Sequence, residues 1–96
     1  MTIPSKKLAE ASRYARVNNA NTQQTVSSGP AIVQRVVVSN SAAAVGSITV
    51  ADGATVLGVW EVPVNDTISI ELRIACTTSV LCTPSATTLD CLFVLD

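Results

Sequence analysis

Nucleophilic catalysis has few candidate residues in this sequence, because the chain contains three cysteines and no histidine to activate them. The spacing of Cys76, Cys82 and Cys91 matches no zinc motif. Cys76 beside Glu71 or Arg73 is the nearest approach to an activated thiol. We predict that all three cysteines are reduced and pack as small apolar side chains. A Cys76–Cys82 bridge is the alternative.

Carboxylates between residues 52 and 90 are the remaining candidates for acid–base chemistry or for calcium binding. They are Asp52, Glu61, Asp66, Glu71 and Asp90. A glycosidase needs two carboxyl groups about 5–9.5 Å apart in a sugar-binding cleft, and one Trp and one Tyr are too few aromatic residues to line such a cleft. No phosphate loop, dinucleotide-binding fingerprint or EF-hand spacing occurs. We therefore predict no enzyme, no catalytic residue, no cofactor and no metal site.

Charge divides the chain into a basic and an acidic part. Residues 1–30 carry a net charge of +3, residues 31–96 carry −4, and the whole chain carries −1. The low total charge argues against nucleic acid as a partner. The cations near the N-terminus and one aromatic residue form a cluster, which contains Lys6, Lys7, Arg13, Tyr14 and Arg16. This cluster is a solvated helix face, or an element that docks on an acidic partner surface. A third alternative is contact with phosphate, which four cations would bind only weakly and in a salt-sensitive way.

Trp60 is the one tryptophan of the chain. Because aromatic side chains contribute much of the buried surface of protein cores, we interpret Trp60 as an anchor in the core or at its edge. The alternatives are a sugar-stacking platform and an anchor at a subunit interface. Because of these alternatives, we include Trp60 among the predicted partner or interface residues.

Residues 1–30 are predicted to form an N-terminal arm. The pattern from Ser5 to Val17 is that of a short amphipathic helix with Ser5 as its N-cap. Residues 18–30 are polar, almost uncharged and end in Gly29-Pro30, which is typical of a linker or an extended arm. No apolar segment follows the lysines, so no secretory signal is predicted.

The body, residues 31–96, is predicted to be a small antiparallel β-sandwich of about six strands. Its clearest strand is T-I-S-I-E-L-R-I at 67–74, where apolar and polar residues alternate over eight positions. Turn signals such as Asp52-Gly53 separate the strands, as hairpins require. The predicted strands lie near 32–39, 46–52, 54–62, 67–74, 79–83 and 88–95.

Two strands of this body read as almost continuous apolar runs. They are V-V-V at 36–38 and C-L-F-V-L at 91–95. Such runs indicate strands that are covered on both faces. In a chain of 96 residues the second cover can come from another subunit, so we expect self-association as a dimer or trimer. No apolar run approaches the roughly 20 residues that span a bilayer, and no membrane partner is expected.

Three stretches of the sequence resemble the small all-β virion proteins of tailed bacteriophages. They are R-V-V-V-S-N-S, G-S-I-T-V-A-D-G and V-P-V-N-D-T-I-S-I-E-L-R-I-A-C-T-T, preceded by a polar N-terminal arm. Within that group the pattern most resembles the capsid decoration, or cement, proteins. The resemblance covers about residues 30–80 and includes no catalytic motif.

The resemblance implies a non-enzymatic protein on the outer surface of a phage capsid. It would staple neighbouring major capsid subunits, with the arm as a docking or clasping element, and would be present in the host cytoplasm during assembly. Removing residues 1–30 is then expected to abolish capsid binding and to leave the body folded. The alternative is a carbohydrate- or receptor-binding module of a phage tail or fibre. A small-molecule ligand is not expected in either case.

Overall fold

Residues 13–96 are described by a computed structural model, and they form two packed antiparallel sheets without a helix. Eight strands follow one another along the chain, and they are β1 (Arg13–Val17), β2 (Gln24–Ser27), β3 (Ala31–Asn40), β4 (Gly46–Asp52), β5 (Thr55–Val62), β6 (Thr67–Cys76), β7 (Val80–Pro84) and β8 (Leu89–Leu95). The predicted all-β class and the two-sheet sandwich are confirmed.

Each sheet has four strands. Sheet 1 has the order β1-β8-β3-β6, and sheet 2 has the order β2-β7-β4-β5. All pairs are antiparallel. β8 and β3 are the central strands of sheet 1, and β7 and β4 are those of sheet 2. Side chains from both sheets form one shared core, as in other sandwiches. The edges of the sandwich are formed by β1, β2, β5 and β6.

The predicted strand count of six is corrected to eight. The six strands predicted after residue 31 are all present, with ends within one or two residues of the prediction. The two additional strands, β1 and β2, lie within the first 30 residues. They add one edge strand to each sheet, because β1 pairs with β8 and β2 pairs with β7.

The predicted helix over 5–17 is wrong at its C-terminal end. Residues 13–17 form β1, in which Arg13 pairs with Leu95 and Val17 pairs with Cys91. The edge of β8 offers backbone partners along all of β1, and Val17 is buried in the core. These tertiary contacts outweigh the helix propensity of the segment. The rest of the predicted helix lies outside the described residues.

The core between the sheets is mostly aliphatic. Its largest buried side chain is that of Phe93, which is surrounded by Val, Ile, Leu and Cys residues from both sheets. In β6, Ile70 is buried and Ile68, Leu72 and Ile74 pack against the core, while the alternate residues are exposed. The alternation predicted for this strand is confirmed.

Two polar side chains hold the ends of the sandwich. Asn40 is buried, its Nδ2 donates to the carbonyl oxygens of Ala44, Val62 and Pro63, and its Oδ1 accepts from the Ala42 N–H. Asn40 thus ties the β3–β4 loop to the end of β5. At the opposite end, Asp52 of the β4–β5 hairpin accepts hydrogen bonds from the loop after β6, at residues 77–79.

Candidate interaction surface on sheet 1

The outer face of sheet 1 brings together residues that lie far apart in the sequence. The strand register places Tyr14 beside Val94, and Arg16 beside Leu92. On the other side of β8, Leu92 is beside Val37 of β3. Because alternate residues of a strand point to opposite faces, all five side chains point away from the core.

Four of these side chains form an apolar strip that nothing in residues 13–96 covers completely. Tyr14 is 68% exposed, Leu92 is 38% exposed, and Val37 and Val94 are half-buried. The strip crosses three strands from β1 to β3. A strip of this kind on a small protein is typical of a contact surface for another molecule.

An ion pair borders the apolar strip on one side. The guanidinium group of Arg16 donates two hydrogen bonds to the carboxylate of Asp90, one of them from Nε to Oδ1 at 2.8 Å. Hydrogen bonding and the charge of Arg16 lower the pKa of Asp90. The pKa of Arg16 is raised by the same contact. A bidentate pair holds the long Arg16 side chain in one orientation, and so gives this border a fixed shape.

A second group of charges lies at the opposite border. Arg35 of β3 and Glu71 of β6 are paired in the register, with 3.8 Å between Arg35 Nε and Glu71 Oε1. Arg73 Nε is 4.0 Å from Glu71 Oε2. These side chains, with Ile32 and Gln34, line an open groove of about 320 Å³. All three charged groups are at least half exposed, so the pairs add shape and polarity more than stability.

A β-bulge positions Arg73 at this border. Val33 pairs with Ile74 and Arg35 pairs with Glu71, so β6 has one more residue than β3 between these pairs. Arg73 has a φ of +52°, in the left-handed region that a non-glycine residue seldom adopts. The bulge interrupts the outer edge of β6 and places a cation there, which are both features that disfavour pairing with another strand.

The structure brings together three of the predicted interface residues. Arg13, Tyr14 and Arg16 lie in β1, and Arg13 Nη2 donates to the backbone oxygen of Asp96 at 3.4 Å. Lys6 and Lys7 lie outside the described residues. The cluster is therefore on a strand, where Tyr14 and Arg16 point to the outer face of sheet 1.

Trp60 lies apart from this surface, on β5 of sheet 2. It pairs with the buried Ile48, is half-buried, and packs against the core. A Cβ atom placed on Gly58 would lie 2.7 Å from Cη2 of the indole ring, so the ring covers this glycine. Trp60 thus anchors the edge of the core. Its role as an interface or sugar-binding residue stays a prediction.

The three cysteines are free thiols and are all buried, as predicted. Burial raises the pKa of Cys76, and the charge of Asp52 raises it further. A thiol with a raised pKa is a poor nucleophile at neutral pH. No group of three metal-ligating side chains comes together among residues 13–96. In the same part of the chain no helix is suited to cross a membrane.

Val37, Leu92 and Val94 were not among the interface residues predicted from the sequence. The signal for them was present in the two apolar runs, which were interpreted as strands covered on both faces. The outward residues of those runs are these three, and sheet 2 packs on the other face of the strands. The runs therefore mark a central position in the sheet and an apolar outer face.

Comparisons with known proteins give no family for this chain. No protein-family model matches it, and no curated protein is similar at a significant level. Two solved structures of a pentameric capsid protein from metagenomic phage sequences are similar to it, each at 17% identity and a TM-score of 0.43 over 90% of this chain. The chain spans 62% and 60% of those proteins. At this identity and TM-score the similarity carries no argument about function.

Proposed function

We propose that the chain is a structural protein of a phage virion that binds the outside of the capsid and links neighbouring major capsid subunits. The observation that carries the proposal is the apolar strip on sheet 1, which lies between two charged borders. Tyr14 and Leu92 of the strip are exposed, and Val37 and Val94 are half-buried. The sequence resemblance to capsid decoration proteins supports the same class of function. Capsid binding through the strip requires only a modest affinity at each contact, because many contacts act together on a repeating shell.

Only part of the predicted arm, residues 1–30, contributes to this proposal. Since β1 and β2 are strands of the sandwich, the segment that remains as a docking element is 1–12, which contains Lys6 and Lys7. Residues 31–96 carry a net charge of −4, so the basic segment is suited to an acidic surface on another molecule.

Self-association belongs to the same proposal. We expect a dimer or trimer that buries part of the apolar strip, because an apolar strip gains the most from exclusion of water. Capsid binding and self-association are separable by experiment, since one requires shells and the other does not.

Co-sedimentation with capsid shells of the parent virus tests the proposal. The wild type is expected to pellet with the shells. Leu92→Ser places a hydroxyl at the centre of the strip, between Arg16 and Val37 in the register, and is expected to weaken binding to the shells about tenfold, which corresponds to about 1.4 kcal/mol.

Val59→Ser is the matched control. Val59 is 60% exposed on β5 of sheet 2, away from the strip, and its replacement is expected to leave binding unchanged. Equal binding by Leu92→Ser and the wild type would remove the strip from the proposal. A wild type that stays in the supernatant would overturn the proposed function.

A further inference from the structure

Two neighbouring strands of sheet 1 are bulged at the same level. In β3, Gln34 has no counterpart in β8, because Val33 and Arg35 pair with consecutive residues of β8. Opposite Gln34, β6 has two residues, Leu72 and Arg73. Bulges bend a strand and redirect its side chains, and they are frequent beside functional sites. The two bulges together shape the groove at the β3–β6 border.

The bulge in β3 turns two consecutive side chains to the same side of the sheet. Val33 and Val36 are fully buried, so both point into the core. Gln34 and Arg35 lie between them in the sequence, and both line the groove on the outer face. In a regular strand consecutive side chains point to opposite faces. The bulge therefore brings an amide and a guanidinium group to one groove.

Arg73 brings a second guanidinium group to the groove from β6. Its φ of +52° lies in the left-handed region, so the bulge holds this residue in a conformation that arginine seldom adopts. Arg35 and Arg73 are the only cations of residues 31–96, which contain six acidic residues. Both positive charges of an acidic body therefore lie in one groove of about 320 Å³.

Among residues 13–96, no hydrogen bond occupies the donors of these two guanidinium groups. Glu71 approaches both, with 3.8 Å from Arg35 Nε to Oε1 and 4.0 Å from Arg73 Nε to Oε2. Both distances exceed the roughly 3.2 Å of a hydrogen bond, so Glu71 attracts the two groups and leaves their donors for another acceptor. Arg16 differs, because it donates two hydrogen bonds to Asp90.

We propose that this groove binds the carboxylate groups of an acidic peptide segment of a partner protein. Guanidinium groups match the planar carboxylate with parallel N–H donors, and the Gln34 amide adds a further donor. A nucleic acid fits less well, because Glu71 and Asp90 on the same face repel a closely spaced row of phosphates. Separate carboxylates on a peptide avoid this repulsion.

The groove is continuous with the apolar strip. Arg35 pairs in the register with Val94, which belongs to the strip. A partner that covers the strip therefore reaches the groove with its next residues. The identity of this partner rests on the proposed function, under which the acidic segment belongs to a capsid subunit, whereas the groove and its class of ligand do not.

Side-chain NMR of the wild type, titrated with a peptide, tests the proposal. The probe is a capped hexapeptide of glycine and alanine with two glutamates, and the control peptide has glutamine in their place. The Nε–H signals of Arg35 and Arg73 are expected to shift to saturation with the glutamate peptide and to stay unchanged with the control. The Arg16 signal is expected to stay unchanged with both, because Asp90 already accepts its hydrogen bonds.

Two substitutions in the groove are expected to act in opposite directions. Arg73→Gln removes one guanidinium group and is expected to weaken binding of the glutamate peptide at least about fivefold. Glu71→Gln removes the carboxylate that competes with the ligand and is expected to strengthen binding about threefold. Both side chains are more than half exposed, so neither change disturbs the core.

The proposal is overturned by equal shifts with the glutamine peptide, by equal shifts of the Arg16 signal, by unchanged binding of Arg73→Gln, or by weaker binding of Glu71→Gln. Inorganic phosphate that binds the groove more tightly than the peptide would also overturn it, because the ligand would then be a phosphate. A failed peptide titration beside intact shell binding refutes the groove alone. Peptide binding without shell binding refutes the proposed function alone.

Discussion

At the scale of single residues, the carboxylate of Asp52 connects two loops that are distant in the sequence. Its Oδ2 accepts the Thr77 N–H at 3.0 Å and the Thr77 hydroxyl at 3.3 Å, and its Oδ1 accepts the Thr78 N–H at 2.9 Å. These hydrogen bonds lower the pKa of Asp52, and the one from the Thr77 N–H has the largest effect. Only the ionised carboxylate accepts all of them, so the contact depends on pH.

The first prediction concerns acid stability. A carboxyl group with a pKa lower in the folded than in the unfolded state contributes stability above its unfolded pKa, near 4. That contribution is lost as the pH falls through the lower, folded pKa. We expect the unfolding midpoint of the wild type to fall between about pH 5 and pH 2, and Asp52→Asn to flatten this dependence. Thermal melts monitored by circular dichroism measure it.

Asp66→Asn is the control for that series. Asp66 Oδ1 accepts one backbone N–H, that of the adjacent Thr67 at 2.8 Å, and connects no distant loops. Its replacement is expected to keep the slope of the wild type. If Asp52→Asn and Asp66→Asn had the same effect on the slope, the special role of Asp52 would be refuted.

The second prediction concerns the contact between Gly58 and Trp60. Gly58→Ala places a methyl group 2.7 Å from the indole Cη2, so the ring must leave its present position. We expect the free energy of unfolding to fall by about 1–3 kcal/mol, and tryptophan emission to shift to the red as the ring meets water. Gly29→Ala is the control, since its added Cβ meets nothing within 4 Å. Unchanged emission in Gly58→Ala would contradict the packing described for Trp60.

At the scale of elements, the strands differ in how well the sequence predicts them. β6 is predictable, because its apolar residues alternate and only one face is buried. The β4–β5 hairpin is predictable from Asp52-Gly53, and Gly53 has the positive φ of +56° that such a turn requires. Both signals are local, so no knowledge of the partner strand is needed.

β1 and β2 could not be predicted in the same way. The residues of β1, R-Y-A-R-V, suit a helix face as well as a strand, and those of β2, Q-T-V-S, include a single apolar residue. Their state is decided by the open edges of β8 and β7, which local sequence does not encode. The apolar strip was missed for the same reason, since it exists only when three strands are aligned.

The third prediction separates the two parts of the N-terminal region. A chain that begins at Ala31 loses β1 and β2, and with them the buried Val17. We expect the free energy of unfolding of this chain to be about 3 kcal/mol or more below that of the wild type. The sequence alone, in contrast, predicted that this body stays folded without residues 1–30. A chain that lacks only residues 1–12 keeps the eight strands of the described residues and is expected to be clearly more stable than the chain that begins at Ala31. Urea unfolding measures both, and equal stability of the two chains would contradict the sheet order.

At the scale of the whole molecule, the four sheet edges and the faces are not equivalent. The edge of β6 is interrupted by its bulge and by Arg73, and the register of the edge strand β5 shifts against β4 between Val50 and Ala51. The edge strands β1 and β2 have only five and four residues. The outer face of sheet 1, in contrast, has an apolar centre with charged borders. We therefore expect association through this face, and the proposed function at a capsid surface requires a surface of this type.

The composition of purified virus particles tests the central proposal most directly. Quantitative mass spectrometry of intact virions and of isolated tails would measure the number of copies of this chain relative to the major capsid protein. We predict a fixed ratio to the major capsid protein, and digestion of the exposed chain when a protease is added to intact particles. Absence from the virions, or presence in the isolated tails alone, would contradict the proposal, and the second result would favour the receptor-binding alternative.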